Sequence, residues 1–286
     1  MPLDAPAAPP DPALPPGLYI VASPIGNLGD LSARAADWLR RADLIACEDT
    51  RVTARLLKAA GSTRPMLRFD DHASGRAIES LVARMAHESV ALVSDAGTPL
   101  VSDPGFALVR AARAAGIAVT TAPGPCAAIA ALSIAGLPAD RFYFAGFLPA
   151  RPVARESALA ALVAVPGTLI FHEAPPRLAE SLAAMADVLG DRDAAVAREL
   201  TKLHEDVRRG RLSELAAHYG SHPPRGEIVV LVAPAEAPLP DAAAVDAALR
   251  RALESLPPGK AAASVASAFG VPRSGLYARA LELVGK

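Results

Sequence analysis

Ala91-Leu92-Val93-Ser94-Asp95-Ala96-Gly97-Thr98-Pro99-Leu100-Val101-Ser102-Asp103-Pro104-Gly105 is the stretch whose reading decides the fold. The run that opens it, Val90 to Val93, is wholly apolar, as in a strand buried on both faces. The chain then breaks into small, polar and turn-forming residues. Asp103 and Pro104 read as the N-cap and first position of a helix, and apolar residues from Phe106 to Ala115 recur at helical spacing. The stretch is therefore a strand, a long elbow and a helix. The elbow sits at the strand's carboxyl end, where open parallel sheets bind their ligands. About ten loop residues carrying two Asp, two Ser, one Thr and two Gly exceed what a structural βα turn needs.

The same grammar recurs on either side. Leu18 to Ala22 reads as a strand running into the elbow Ser23-Pro24-Ile25-Gly26-Asn27-Leu28-Gly29-Asp30, before a helix from Ser32 to Arg41. Leu44 to Cys47 and Met66 to Phe69 are further strands, each followed by a helix, to Ala60 and from Gly75 to His87. Strand Ala118 to Thr121 leads through Pro123-Gly124-Pro125 into a helix from Cys126 to Ala135. Strands alternating with helices at this spacing predict a mostly parallel α/β sheet over residues 17–139. A second α/β unit is expected over 140–233, with strands at Phe142 to Phe147, Thr168 to Phe171 and Ala194 to Arg198, and helices Arg151 to Ala164 and Leu178 to Leu189. Its later part, His204 to Gly210 and Glu227 to Val232, reads as antiparallel. After a Pro/Ala-rich linker, residues 241–286 read as three helices, with Lys260 to Phe269 and Arg273 to Leu283 flanking a short turn at Gly270-Val271-Pro272.

Composition bounds the function. The chain has 286 residues, 52% hydrophobic and 21% charged, with a net charge of −1. That describes a folded protein without a global electrostatic footprint for nucleic acid, so any such surface must be local. The two cysteines, Cys47 and Cys126, lack CxxC spacing, and a reducing, cytoplasmic setting fits them. Residues 1–16 hold seven Pro and no apolar h-region, so a disordered lead-in is expected there instead of a signal peptide. The uncharged segment Thr120 to Ala139 is broken by Pro and Gly and is too short a helix to cross a membrane.

The elbows carry no familiar phosphate cradle. Gly26 and Gly29 lack the middle glycine of G-x-G-x-x-G, and G-x-x-x-x-G-K-[ST] is absent. Small residues without basic side chains suit a neutral or cationic ligand better than a triphosphate. Charged clusters stand at other strand ends: Glu48-Asp49-Arg51, Asp70-Asp71-His72, Glu173-Arg177 and Arg198-Glu199-Lys202-Glu205. Each could be a solvated loop, but together they line the edge to which the elbows point. His72 and His172 have no His or Cys partner at ligand spacing, so no metal site is expected.

These residues in this order resemble a known family. Leu18-Tyr19-Ile20-Val21 with Ser23-Pro24-Ile25-Gly26-Asn27-Leu28, Glu48-Asp49-Thr50-Arg51 and Leu92 to Pro99 look like the tetrapyrrole-methylase-fold methyltransferases, and most like their branch acting on small-subunit ribosomal RNA. Pro123 to Ala128, Gly146-Phe147-Leu148-Pro149, Ala197 to Lys202, Arg225-Gly226-Glu227 and Ser274 to Glu282 extend the match over roughly residues 17 to 283. The chain departs from the family's pattern at Ala73 after His72, at His172-Glu173 for Tyr-Glu, and at Pro176 before Arg177.

The resemblance implies a two-domain tetrapyrrole-methylase-like α/β fold with a small helix-turn-helix-like appendix. It further implies S-adenosyl-L-methionine as cofactor and 2′-O-ribose methylation of a cytidine in the decoding centre of 16S rRNA, within the small ribosomal subunit. By position, Pro24, Gly97, Thr98, Pro99, Cys126, Ala127, His172 and Leu200 match the family's cofactor contacts. Glu199 and Lys202 are the candidates for general base or orienter of the 2′-hydroxyl. Glu48, Asp49, Arg51, Glu173, Arg177 and Arg198 are the candidates for substrate contact. A homodimer is implied, and no membrane partner. Two other readings stay open: a tetrapyrrole C-methylase of the same fold, and a non-enzymatic regulator that grips nucleic acid through its slightly basic tail.

Overall fold

The computed structural model of the chain describes residues 13–70, 73–235 and 241–285, and its first sheet is built from five short strands. Strands β1 (Gly17–Val21), β2 (Leu44–Cys47), β3 (Met66–Arg68), β4 (Ser89–Val93) and β5 (Val119–Ala122) alternate with α1 (Ala33–Arg41), α2 (Thr50–Ala60), α3 (Gly75–Met85) and α4 (Phe106–Ala114). Every pairing is parallel, in the order β3-β2-β4-β1-β5. β1, β2 and β4 are buried along their whole length, which is why they read as unbroken apolar runs. Helices α1 and α2 cover one face of the sheet, α3 and α4 the other. Strand order reverses around the central pair β1 and β4. The elbows leaving their carboxyl ends therefore open at a topological switch point.

One boundary differs from the sequence expectation. Asp103 and Pro104 do not cap and start α4; Gly105 is its N-cap, at φ +130° and with no side-chain cap. A β-carbon there would stand 2.7 Å from Leu92 Cδ2 on β4. The chain has to pass that strand as glycine before it can turn into the helix.

The second sheet contains β6 (Phe142–Phe147), β7 (Thr168–Glu173), β8 (Asp193–Arg198), β9 (Asp206–Arg211) and β10 (Ile228–Val232), in the order β6-β7-β10-β8-β9. Only β6 and β7 run parallel; the other three pairings are antiparallel. One face is covered by α6 (Pro152–Ala160), α7 (Leu178–Leu189) and α8 (Leu212–Ser221). The other face takes α5 (Ala127–Ala135), whose Ala128, Ala131, Leu132 and Ala135 pack on Ile170, Ala195, Ala197, Val229 and Leu231. By chain order α5 follows the first sheet; by packing it belongs to the second.

Residues 1–12 of the expected lead-in lie outside the described residues. Leu14 is already buried in the first core, and the Tyr19 hydroxyl donates to Pro15 O at 2.8 Å, so ordered packing begins ahead of residue 17. The chain divides into two compact units, Met1–Ala235 and Glu236–Lys286. Within the second, α9 (Ala242–Leu253), α10 (Pro258–Phe269) and α11 (Arg273–Val284) enclose a core of Val245, Leu249, Ala261, Ala262, Val265, Leu276 and Ala280. Gly270, at φ +65°, ends α10 and makes the short turn into α11. Among the described residues no helix is long and apolar enough to cross a membrane.

Candidate active site

Three elbows are tied into one rim. Ser23 and Gly97 exchange backbone hydrogen bonds, Ser23 N donating to Gly97 O at 2.8 Å and Gly97 N to Ser23 O at 3.1 Å. The Ser23 hydroxyl also donates to Ser94 O at 3.2 Å, and Thr98 Oγ1 donates to Pro125 O at 3.0 Å. Gly124 lets the third elbow close on β1, since a β-carbon there would lie 2.9 Å from Ala22 Cβ. Gly97 itself sits at φ +77°, in the left-handed region.

This rim and the edge of the second sheet enclose a cavity of about 360 Å³. Gly97, Thr98, Cys126, Ala127, His172 and Leu200 all line it, so six of the eight cofactor candidates converge there. Pro24 and Pro99 do not line it; each adjoins a residue that does, Ile25 and Thr98. His172 lies between Phe144 and Phe147, ring centroids 5.2 and 5.4 Å away. Burial pushes its pKa down, with Glu227 pulling the other way, so the imidazole is neutral at physiological pH. None of the described lining residues is Lys or Arg, whereas Asp103, Glu173 and Glu227 are acids.

Several lining residues escaped the sequence reading as site candidates: Val101, Ser102, Asp103, Phe147 and Glu227 among them. A backbone signal marks two of these segments. Among the described residues, non-glycine positive φ values fall at Leu100, Ser102, Glu199 and Thr201. Such conformations cost about 1–3 kcal/mol each and persist where the surroundings over-determine them. Here they flank lining residues in both segments.

Glu199 and Lys202 form a tight constellation beside Leu200. Lys202 Nζ donates to Glu199 Oε1 at 2.9 Å and pairs with Glu227 Oε2 at 3.2 Å, while Glu227 N donates to Glu199 Oε1 at 2.9 Å. Two glycines make room for it. A β-carbon at Gly226 would lie 2.3 Å from the Glu199 carboxylate, and one at Gly26 2.5 Å from the Lys202 stem. The Glu227 N–H first, and Lys202 second, hold the Glu199 carboxyl below its ordinary range. Burial works to lower the Lys202 pKa, but hydrogen bonds to Glu199 and Glu227 outweigh it and raise the pKa.

The substrate candidates separate. Glu48, Asp49 and Arg51 stand at the end of β2 and do not line the cavity. Asp49 caps α2 and pairs with Arg51 at 2.6 Å, and its own N–H donates to Asp95 Oδ1 at 3.1 Å. Glu173 lines the cavity but is only 3% exposed. Its carboxylate accepts from the Ser181 hydroxyl at 2.5 Å and from Ala174 N at 2.7 Å, and meets Arg177 at 3.4 Å. Arg177 in turn donates to Leu148 O at 2.7 Å. These two brace the end of β6 against β7. Arg198 lines a separate depression with Arg225. Asp71 and His72 lie outside the described residues.

Comparison with known proteins finds relatives over most of the chain. The model of the tetrapyrrole (corrin/porphyrin) methylases matches residues 17–216, and that of the RsmI C-terminal HTH domain matches residues 240–284. A ribosomal RNA small subunit methyltransferase I of Erythrobacter litoralis is 55% identical over 270 residues, covering 94% of this chain and 96% of its own. The protein of that name from Mesorhizobium japonicum is 50% identical over 273 residues, covering 94% and 93%. Among solved structures, a uroporphyrin-III C-methyltransferase from Thermus thermophilus, complexed with S-adenosylhomocysteine, superposes with a TM-score of 0.53. It is 20% identical and covers 76% of this chain and 97% of its own, a likeness of fold alone.

Proposed function

Because the chain belongs to the ribosomal RNA small subunit methyltransferase I family, on the tetrapyrrole methylase fold, we propose that it methylates 16S rRNA in the small ribosomal subunit from S-adenosylmethionine. The finer reading is 2′-O-methylation of a cytidine ribose in the decoding centre, by a cytoplasmic homodimer. The observation that carries the cofactor is the cavity's chemistry: small and apolar walls, a neutral His172, acids at its edge, and no Lys or Arg among the described lining residues. A cationic sulfonium with an uncharged adenosine fits such walls, and a polyphosphate does not. Gly97, Thr98, Cys126, Ala127, His172 and Leu200 would hold it. When bound, it supplies an electrophilic methyl group.

The chain's own contribution is placement. Closing the cavity around the reacting atoms converts a bimolecular displacement into an oriented one. Lys202 stays protonated and Glu199 stays ionised, so both serve better as positioning residues for Glu227 than as proton acceptors. The homodimer finds support in Phe142 and Tyr143, nearly half exposed on the edge strand β6.

Labelled S-adenosylmethionine offered with small ribosomal subunits, naked 16S rRNA or uroporphyrinogen tests the reading. Label is expected in the ribosomal RNA, at one position that resists alkaline hydrolysis because its 2′-hydroxyl is blocked. Label in the porphyrinogen, or in no acceptor, overturns it.

The tail unit is proposed to add RNA contact through its helix-turn-helix. Arg279 cannot give its full charge to phosphate, being paired with Asp246 and Glu282 at 2.8 and 2.9 Å. Arg251, Lys260 and Arg273 are the stronger candidates. A chain ending at Pro240 is expected to keep its cofactor affinity but bind small subunits weakly, with a shallower salt dependence. Equal affinity and equal salt slopes would make the tail a structural cap.

A further inference from the structure

A second depression, of about 320 Å³, lies beside the same two chain segments that close the cavity. Arg198 and Arg225 line it, whereas Leu200 and Glu227, two residues further on in each segment, line the cavity. Two residues span at most about 7 Å, so the depression borders the cavity mouth. Glu199 N donates to Glu227 O at 2.9 Å, holding the two segments together, and Arg198 Nη1 reaches toward Arg225 O at 3.5 Å.

Its remaining walls are rich in donors. His218 on α8 and His222, the residue just beyond its end, stack with ring centroids 4.7 Å apart, and His222 Nδ1 lies 3.1 Å from His218 O. Between them in sequence, Tyr219 is 5% exposed, and its hydroxyl is buried beside Arg208 and Asp206. Asp206 is the acid among the described lining residues. Arg198 and Arg225, the two arginines that line it, form no ion pair with any described residue. Desolvation first, then the charges of Arg208 and His222, hold the His218 pKa down, against the pull of Asp206. The depression thus gathers the guanidinium groups of Arg198 and Arg225 and two imidazoles against one carboxylate, Asp206. An anionic oxygen group, which only accepts hydrogen bonds, satisfies both guanidinium forks at once.

We propose that this depression is a phosphate subsite, in which Arg198, His218, His222 and Arg225 grip a phosphodiester of the RNA strand next to the nucleotide whose ribose enters the cavity. The inference rests on the RNA reading above and deepens it. It gives the second sheet a substrate contact independent of the tail.

The test uses the full chain with His222→Ala, Arg225→Ala, the double variant and Arg225→Lys. In the double variant the KM for small ribosomal subunits is expected to rise about 10-fold, and the salt slope of log KM to fall by about one phosphate contact. kcat and S-adenosylmethionine affinity should stay within about twofold, since neither group touches the cavity, and Arg225→Lys should restore the slope. Separately, inorganic phosphate is expected to shift the His218 and His222 ring resonances of the wild-type chain and not to affect His218 in the double variant. Unchanged KM and slope in a double variant whose wild type methylates RNA overturn the subsite. If the wild type methylates no RNA, the functional reading falls instead, and the subsite's RNA ligand falls with it. The phosphate titration then decides whether an anion site exists at all, and an absence of shifts ends it.

Discussion

Gly97→Val is expected to abolish measurable S-adenosylmethionine binding while leaving the fold in place. At φ +77° the glycine occupies a conformation that a β-branched residue adopts only with strain, about 1–3 kcal/mol. A β-carbon alone would meet nothing closer than Ile25 Cγ2, at 3.4 Å. Protein packing therefore admits the first carbon, and the two γ-methyl groups have to find room in or beside the cavity that Gly97 lines. Gly97→Ala separates the two effects, because it carries the backbone strain without the γ-methyls. Calorimetric titration should show a loss of more than about 10²-fold for Val and a much smaller one for Ala, with circular dichroism spectra like the wild type. Normal binding by Gly97→Val would move the cofactor out of this cavity.

Lys202→Ala and Glu199→Ala are expected to lower kcat by about 10²-fold while changing cofactor affinity little, the scale of a misplaced reacting group. Glu199 fixes the Glu227 N–H and Lys202 fixes the Glu227 carboxylate, so removing either frees a residue of the cavity wall. The pH dependence distinguishes placement from proton transfer. The Lys202 pKa is raised, so a lysine base would make kcat climb with pH into the alkaline range; a positioning ammonium leaves kcat level across neutrality and lets it decline as Lys202 deprotonates. Gly226→Ala should imitate Glu199→Ala, because its β-carbon would take the space of the carboxylate. Wild-type turnover in both alanine variants would remove the pair from the reaction.

Strands β1, β2 and β4 of the first sheet were legible because burial on both faces leaves an unmistakable apolar run, as in Leu44–Cys47 and Ser89–Val93. Helix α8 was not, since Leu212, Leu215 and Tyr219 are its only buried residues and follow directly on the Arg-rich β9. The start of α4 was misplaced because Asp103-Pro104 is a good local cap, and only the tertiary approach of Leu92 to Gly105 overrules it. In the site, small residues at strand ends pointed to the cavity. Phe147 could not be picked out, because an exposed aromatic on an edge strand has no sequence mark distinguishing a cavity wall from a surface. Glu173 and Arg177 looked like a charged strand end open to substrate. Glu173 is instead buried against Ser181 on the following helix, and Arg177 is turned onto Leu148, 29 residues earlier in the chain.

The divided allegiance of α5 has a consequence for biosynthesis. Every strand of the first sheet has been made before α5 emerges, yet the β10 residues that complete its packing surface, Val229 and Leu231, are synthesised about a hundred residues later. At common elongation rates of about 5–20 residues per second, that interval is roughly 5–20 s. Throughout it a short helix carrying Ala128, Ala131 and Leu132 hangs from a finished sheet with an incomplete face to lie against. The nascent chain is thus most exposed to wrong association, and most in need of a holding chaperone, between the first sheet and the last strand of the second.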